Sequence, residues 1–180
     1  IAIGARGAAN QFGAGGAGKA YVVFGSDPNG NLTTPGDSGA NDITGGGLAD
    51  GILGAGGDDI LRGGGGNDNL NGGDGDDMAL GHDGDDILRG YSGDDRLSGG
   101  NGADLLMTDD GEDTVFGGAG DDRIVLTTAN LSAGDSFDSF DGGGGSDRLE
   151  LSGGGIADLS ALTLFQSVGV IQLDNLGTVL

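Results

Sequence analysis

The sequence predicts an all-β repeat fold, thin rather than globular, and three observations carry that reading. A nine-residue period runs without insertion from Gly36 to Val125, and self-similarity at a fixed period is the mark of a stacked repeat architecture. Within that period one place is almost always acidic, and the place two residues on is almost always aliphatic. Glycine supplies 45 of the 180 residues while aromatic residues make up only 4%, so the large side chains that fill a thick core are missing.

Ten units fit the period, starting at Gly36, Gly45, Gly54, Gly63, Gly72, Gly81, Gly90, Gly99, Thr108 and Gly117, as in GGGGNDNLN, GGDGDDMAL and GHDGDDILR. The sixth place holds Asn41, Asp50, Asp59, Asp68, Asp77, Asp86, Asp95, Asp104, Asp113 and Asp122. The eighth holds Ile43, Ile52, Leu61, Leu70, Ala79, Leu88, Leu97, Leu106, Val115 and Ile124. After a break of 16 residues an eleventh unit, Gly142 to Glu150, repeats the pattern with Asp147 and Leu149.

Each place has a physical reading. Glycines at the first, second and fourth places supply backbone angles closed to other residues and let carbonyls come close to an ion. In a short strand the side chains alternate, so the eighth-place aliphatic points inward and its seventh- and ninth-place neighbours point out. Each nonapeptide then contributes one core residue, two to each coil of two units.

The nonapeptide GGxGxDxUx resembles that of the repeats-in-toxin (RTX) proteins, a Ca2+-binding family. The resemblance covers half of the chain and implies that GGxGxD forms a turn, that xUx forms a strand and that two units complete one coil. The fold it implies is all-β, a right-handed parallel β-roll (β-helix solenoid), here closed by an irregular β cap at the C-terminal end. Turns two units apart then stack at about 4.8 Å, the spacing of neighbouring strands. Ions would be shared between Asp50 and Asp68, Asp59 and Asp77, Asp68 and Asp86, Asp77 and Asp95, Asp86 and Asp104, Asp95 and Asp113, and Asp104 and Asp122. Asn41 with Asp59 makes a weaker eighth site, because Asn brings an oxygen but no charge. About eight Ca2+ are expected, with Asp147 as a further ligand, since two carboxylates plus loop carbonyls make the all-oxygen shell Ca2+ prefers. Fifth-place acids such as Asp58, Asp76, Asp85, Asp94 and Asp121 are expected to brace the turn or face solvent.

Composition narrows the function classes. With 29 acidic and 7 basic residues the net charge is −22, which repels a nucleic-acid backbone; a disordered acidic tail would not hold its acids at a fixed spacing. One His and no Cys disfavour zinc, and no apolar run reaches the roughly 20 residues that span a bilayer.

The flanks are read as two further segments. Residues 1–35 are expected to be a hairpin and linker, since IAIGARGAANQFGAGGAGKAYVVFG resembles the second half of an FG-GAP propeller repeat. From Leu126 to Leu180 the period lapses, and a cap is expected with strands near 148–151, 168–173 and 178–180. Starting at Ile1 without a leader, the chain reads as a piece of a longer protein.

Two motifs are set aside. GAGGAGK at 13–19 has Ala20 where a phosphate loop needs Ser or Thr. GDSG at 36–39 falls in register with the repeat, and His82, in a second place, is read as a backbone carbonyl donor. The expectation is therefore no enzyme, but a Ca2+-dependent structural segment of a secreted bacterial surface protein. The RTX resemblance implies export unfolded and folding outside the cell. The alternative is the folding and secretion module of a larger exoenzyme or toxin. Outward apolar residues such as Ile60, Met78, Leu80, Ile87, Leu105, Met107 and Val125 are read either as ordinary scattered surface or as a contact for self-association or another surface protein.

Overall fold

The computed structural model describes residues 19–22, 32–127, 139–152, 156–157, 165–166, 168–173 and 178–179, with side chains from 35 to 127 and from 139 to 152. The chain winds back and forth between two parallel sheets, and the described residues contain no helix. The first sheet stacks β1 (Lys19–Val22), β3 (Asn41–Thr44), β5 (Ile60–Gly65), β7 (Met78–Asp83), β9 (Arg96–Asn101), β11 (Thr114–Ala119), β13 (Ser139–Gly144) and β16 (Phe165–Gln166). The second stacks β2 (Leu32–Pro35), β4 (Asp50–Gly56), β6 (Asn69–Asp74), β8 (Ile87–Ser92), β10 (Leu105–Thr108), β12 (Arg123–Thr127), β14 (Asp147–Ser152) and β17 (Val168–Leu173). A separate pair, β15 (Ile156–Ala157) and β18 (Thr178–Val179), completes the strands. This is an all-β solenoid built on parallel pairs.

The period explains the register. A residue pairs with the one 18 positions on, as in Leu61 with Ala79 and Leu70 with Leu88, so every place of the nonapeptide becomes a row along the molecule. The eighth-place row of the first sheet runs Ile43, Leu61, Ala79, Leu97, Val115; that of the second runs Ile52, Leu70, Leu88, Leu106, Ile124. All ten are at most 2% exposed and belong to one core cluster. Burying a leucine this completely stabilises by about 2 kcal/mol.

The strands are longer than the three residues the resemblance implied. β5, β6, β7, β8, β9 and β11 each run through places seven to nine and on to the third place of the next unit, leaving only three residues for the bend. Parallel stacking is the reason: a second and third place can pair with their counterparts one coil away, as Gly64 does with His82 and Gly65 with Asp83. The pairing skips the first place, so Gly63 and Gly81 stand outside the ladder.

The ends also differ from the expectation. Leu32–Pro35, placed in a linker, is an edge strand in register with Asp50–Leu53, because a bare sheet edge exposes backbone groups that a β-branched Thr-Thr pair can cover. Lys19–Val22 lies parallel on Asn41–Thr44; the rest of the hairpin reading falls on 1–18 and 23–31, outside the described residues. Past Val125 the stacking resumes with β13 and β14 in register on β11 and β12, and Phe140 is buried on the row of Val115. β17 extends the second sheet over the expected 168–173.

Seventh- and ninth-place side chains point outward, and Ile60, Met78, Leu80, Ile87, Leu105, Met107 and Val125 are half-buried by their neighbours along the rows. Among the described residues the exposed large apolar side chains are Leu48, Leu53 and Tyr91. The described arginines share these faces: Arg62 pairs with Asp42, Arg89 donates to Asn69 Oδ1 at 3.1 Å, Arg123 and Arg148 pair with Glu150, and Arg96 lies 4.7 Å over the Phe116 ring.

Candidate metal centres

The turns form two edges. One carries the turns that begin at Gly36, Gly54, Gly72, Gly90 and Thr108; the other carries those from Gly45, Gly63, Gly81, Gly99, Gly117 and Gly142. The chain reverses at the fourth place, where glycines such as Gly66, Gly75, Gly84 and Gly93 have φ between +99° and +135°. A side chain is strained in that region, yet Ala55, His82 and Tyr91 occupy the second place at φ of 80° to 88°. His82 is thus used for its backbone, with its side chain exposed.

The sixth-place residue follows the bend and turns inward. Every sixth-place acid from Asp50 to Asp122, and Asp147 with them, is no more than 4% exposed. One carboxylate oxygen of each is spoken for. Asp68 Oδ1 accepts the N–H of Asp50 at 2.7 Å, Asp86 that of Asp68 at 2.7 Å and Asp104 that of Asp86 at 2.8 Å. On the other edge Asp77 accepts from Asp59 at 2.8 Å, Asp95 from Asp77 and Asp113 from Asp95, both at 2.9 Å. The sixth-place residues are therefore brought together two units apart, one coil to the next. Asp122 and Asp147 join at 2.9 Å although 25 residues separate them, a link that a strict spacing of 18 does not reveal.

Asp50 Oδ2 accepts the Gly46 N–H at 2.6 Å, but in most of the turns that follow the other oxygen is left over. Oδ2 of Asp59, Asp68, Asp77, Asp86, Asp95, Asp104, Asp122 and Asp147 is buried without a hydrogen-bond partner. Beside it the first-place glycine leaves a gap. A Cβ on Gly81 would meet Asp86 Oδ2 and, at 2.6 Å, the carbonyl oxygen of Gly99; on Gly117 it would meet Asp122 Oδ2 and, at 2.5 Å, the carbonyl of Gly142. At these steps an unpaired carboxylate oxygen and a carbonyl from the next coil thus converge, because no side chain separates them.

Burial without a partner penalises the charged form. It pushes the carboxyls of Asp68, Asp95 and Asp104 up to about 7 and those of Asp59 and Asp77 up to about 6, against the lowering effect of the N–H each accepts. Asp86 and Asp122 are raised for the same reason. Repulsion from neighbouring carboxylates adds to the shift. A cation would reverse all of this. Among the described residues no three His, Cys, Asp or Glu side chains gather at one point, so a bound cation would complete its shell with carbonyls or water. An all-oxygen shell of that kind suits Ca2+ better than Mg2+, which keeps a tight octahedron and its waters.

Fifth-place residues brace the turns from outside, and their bonds run in the opposite direction along the stack. Asp58 Oδ1 accepts from the N–H of Asp76, Asp76 from Asp94, Asp85 from Ala103 and Asp121 from Ser146. Their side chains stay at the surface. Asn41 is committed within its own turn: its amide nitrogen donates to the carbonyl of Gly39 at 2.6 Å and to Asp37 at 3.2 Å, and its Oδ1 accepts the Asp37 N–H.

Comparison with known families adds one match. The model for the RTX calcium-binding nonapeptide repeat, four copies long, matches residues 35–70, 44–79, 53–88, 71–106, 80–115, 98–126 and 129–155. These overlapping stretches take in well over half of the chain. No curated protein and no solved structure matches it.

Proposed function

The chain belongs to the RTX calcium-binding nonapeptide repeat family, and from that premise we propose that it is a Ca2+-dependent structural segment of a secreted bacterial surface protein, without catalytic activity of its own. Calcium binding in a structural β-roll follows from the family. One observation supports the finer reading: on turn after turn a buried aspartate keeps one oxygen for the backbone ladder and offers the other unpaired. An unpaired buried carboxylate destabilises a fold, so a row of them makes folding conditional on a cation. Asp59, Asp68, Asp77, Asp86, Asp95, Asp104, Asp113, Asp122 and Asp147, with Asp50, would hold it together with turn carbonyls.

Repeats of this family are typical of secreted proteins, and among the described residues no helix is long and apolar enough to cross a membrane. Extracellular modules bind Ca2+ at about 10⁻⁴ to 10⁻³ M, so the roll would stay open at cytosolic calcium and close outside the cell. Contact with a second copy or with another surface protein belongs to the same reading, with Leu48 and Leu53 as the exposed apolar residues near one end.

Far-UV circular dichroism tests the reading. After chelation the spectrum should be that of a largely unfolded chain, and millimolar Ca2+ should convert it to a strand-rich one, with Mg2+ much less effective. A spectrum indifferent to Ca2+ would refute the proposal.

A further inference from the structure

We infer that the two edges carry calcium columns of different length: one edge is closed at both ends by neutral side chains, Asn41 and Thr108, while the other runs open from Asp50 to Asp147. The inference rests on the calcium reading of the sixth-place aspartates and adds where each column stops.

At the first end, Asn41 stands where the other turns have Asp. Its oxygen takes the Asp37 N–H just as Asp50 Oδ2 takes that of Gly46, but its amide nitrogen also donates to a carbonyl of its own turn, which no carboxylate can do. A turn carbonyl is thereby satisfied by an N–H rather than by a cation. Asn41 still joins the backbone ladder, since its N–H donates to Asp59 Oδ1 at 2.6 Å. It continues the stack but ends the charge.

At the other end two independent features change at Thr108. The first is occupancy of the inner row. Along this edge the first place is Gly36, Gly54, Gly72 and Gly90, then Thr108, then Leu126 and Leu151 by register. Thr108, Leu126 and Leu151 are all fully buried. Carbon thus fills the space that an aspartate oxygen and a carbonyl share elsewhere. Thr108 Oγ1, buried with no hydrogen-bond partner, is the single side-chain oxygen of this row, between glycines on one side and leucines on the other.

The second feature is the ladder itself. Below Thr108 the pairing skips the first place, as at Gly54 and Gly72 between β4 and β6. From Thr108 upward it is unbroken, with Thr108 paired to Leu126 and Leu126 to Leu151. On the opposite edge the gap persists at the same height: Phe116 pairs with Asp141 and Gly118 with Gly143, leaving Gly117 and Gly142 out. There the glycine cradle also persists, with Asp122 Oδ2 and the Gly142 carbonyl converging. One edge has become a plain parallel sheet where the other still has the ion-type turn.

The closed edge then shares ions only between Asp59 and Asp77, Asp77 and Asp95, and Asp95 and Asp113. The open edge shares them between Asp50 and Asp68, Asp68 and Asp86, Asp86 and Asp104, Asp104 and Asp122, and Asp122 and Asp147. Asp113 serves one ion, whereas Asp104 serves two.

Native mass spectrometry of the full chain at saturating Ca2+ counts the ions directly. Asn41→Asp should gain one ion, Asp113→Asn should lose one and Asp104→Asn should lose two. An unchanged count in Asn41→Asp, or two ions lost in Asp113→Asn, would overturn the inference. A wild-type chain that binds no Ca2+ would instead remove the calcium reading beneath it. Should Asp113→Asn not fold, anomalous difference density in crystals of the calcium-loaded native chain reads the same point. A topmost ion between Asp95 and Asp113 supports the closed edge, and an ion beyond Asp113 on that edge overturns it.

Discussion

Glycine at the first place and glycine at the fourth are required for different reasons. At Gly81 there is no room: a methyl group would press on the Asp86 carboxylate and the Gly99 carbonyl. At Gly84 the backbone itself is the constraint, with φ at +135°. Gly47 has neither problem, since nothing lies within 4 Å of where its Cβ would be. Gly81→Ala should therefore cost about 1–3 kcal/mol, the usual range for overpacking, while Gly47→Ala stays within about 0.5 kcal/mol of wild type, as open surface sites do. Thermal unfolding in saturating Ca2+ checks both, and equal losses would contradict the cradle. The sixth-place aspartates were legible in the sequence because their place in the repeat is local. The role of Thr108 was not, because a threonine in one first place reads as harmless variation until Leu126 is seen stacked beside it.

At the scale of the coil, the linked aspartates make stability depend on pH in opposite senses with and without calcium. The carboxyls of Asp68, Asp95 and Asp104 rise from 3.8 to about 7 on folding, and those of Asp59 and Asp77 to about 6. The folded state therefore binds the extra protons. Their stabilising contribution is complete below about pH 4 and is lost as pH climbs through 6 and 7. Calcium-free chain, largely unfolded near pH 8, should gain strand signal by circular dichroism on acidification toward pH 4 at fixed temperature; a signal that is flat or falls on acidification would count against it. With Ca2+ bound the order reverses, because the ion needs the carboxylates charged. Strand length also belongs to this scale. The spacing marks the aliphatic at the eighth place, but that β5 runs on to Gly65 depends on Asp83 lying one coil away to pair with it.

Among the described residues, acids line the turns and the arginines lie on the flat faces, held by Asp42, Asn69, Glu150 and the Phe116 ring. The core between those faces is a thin double row, and under the proposed function calcium supplies what a thick core otherwise would. Small-angle scattering should show the chain shrinking on Ca2+ addition from a radius of gyration of about 45 Å, expected for an unfolded chain of this length, toward about 16 Å, with any excess measuring the elongation of the roll. A radius that ignores calcium would be incompatible with conditional folding. Forward scattering in the same experiment reads whether the folded roll associates.

By itself the sequence determined the repeat, the residues of the core row and the aspartates that turn inward at the sixth place, since each is set by a period that neighbouring residues share. Tertiary structure alone decided that Leu32–Pro35 is an edge strand, that Asp122 meets Asp147 across a 25-residue step, and that the two edges end differently. Those outcomes depend on which residue stacks one coil away. Where the spacing departs from 18, the stacking partner follows from the path of the chain through space rather than from the order of its residues.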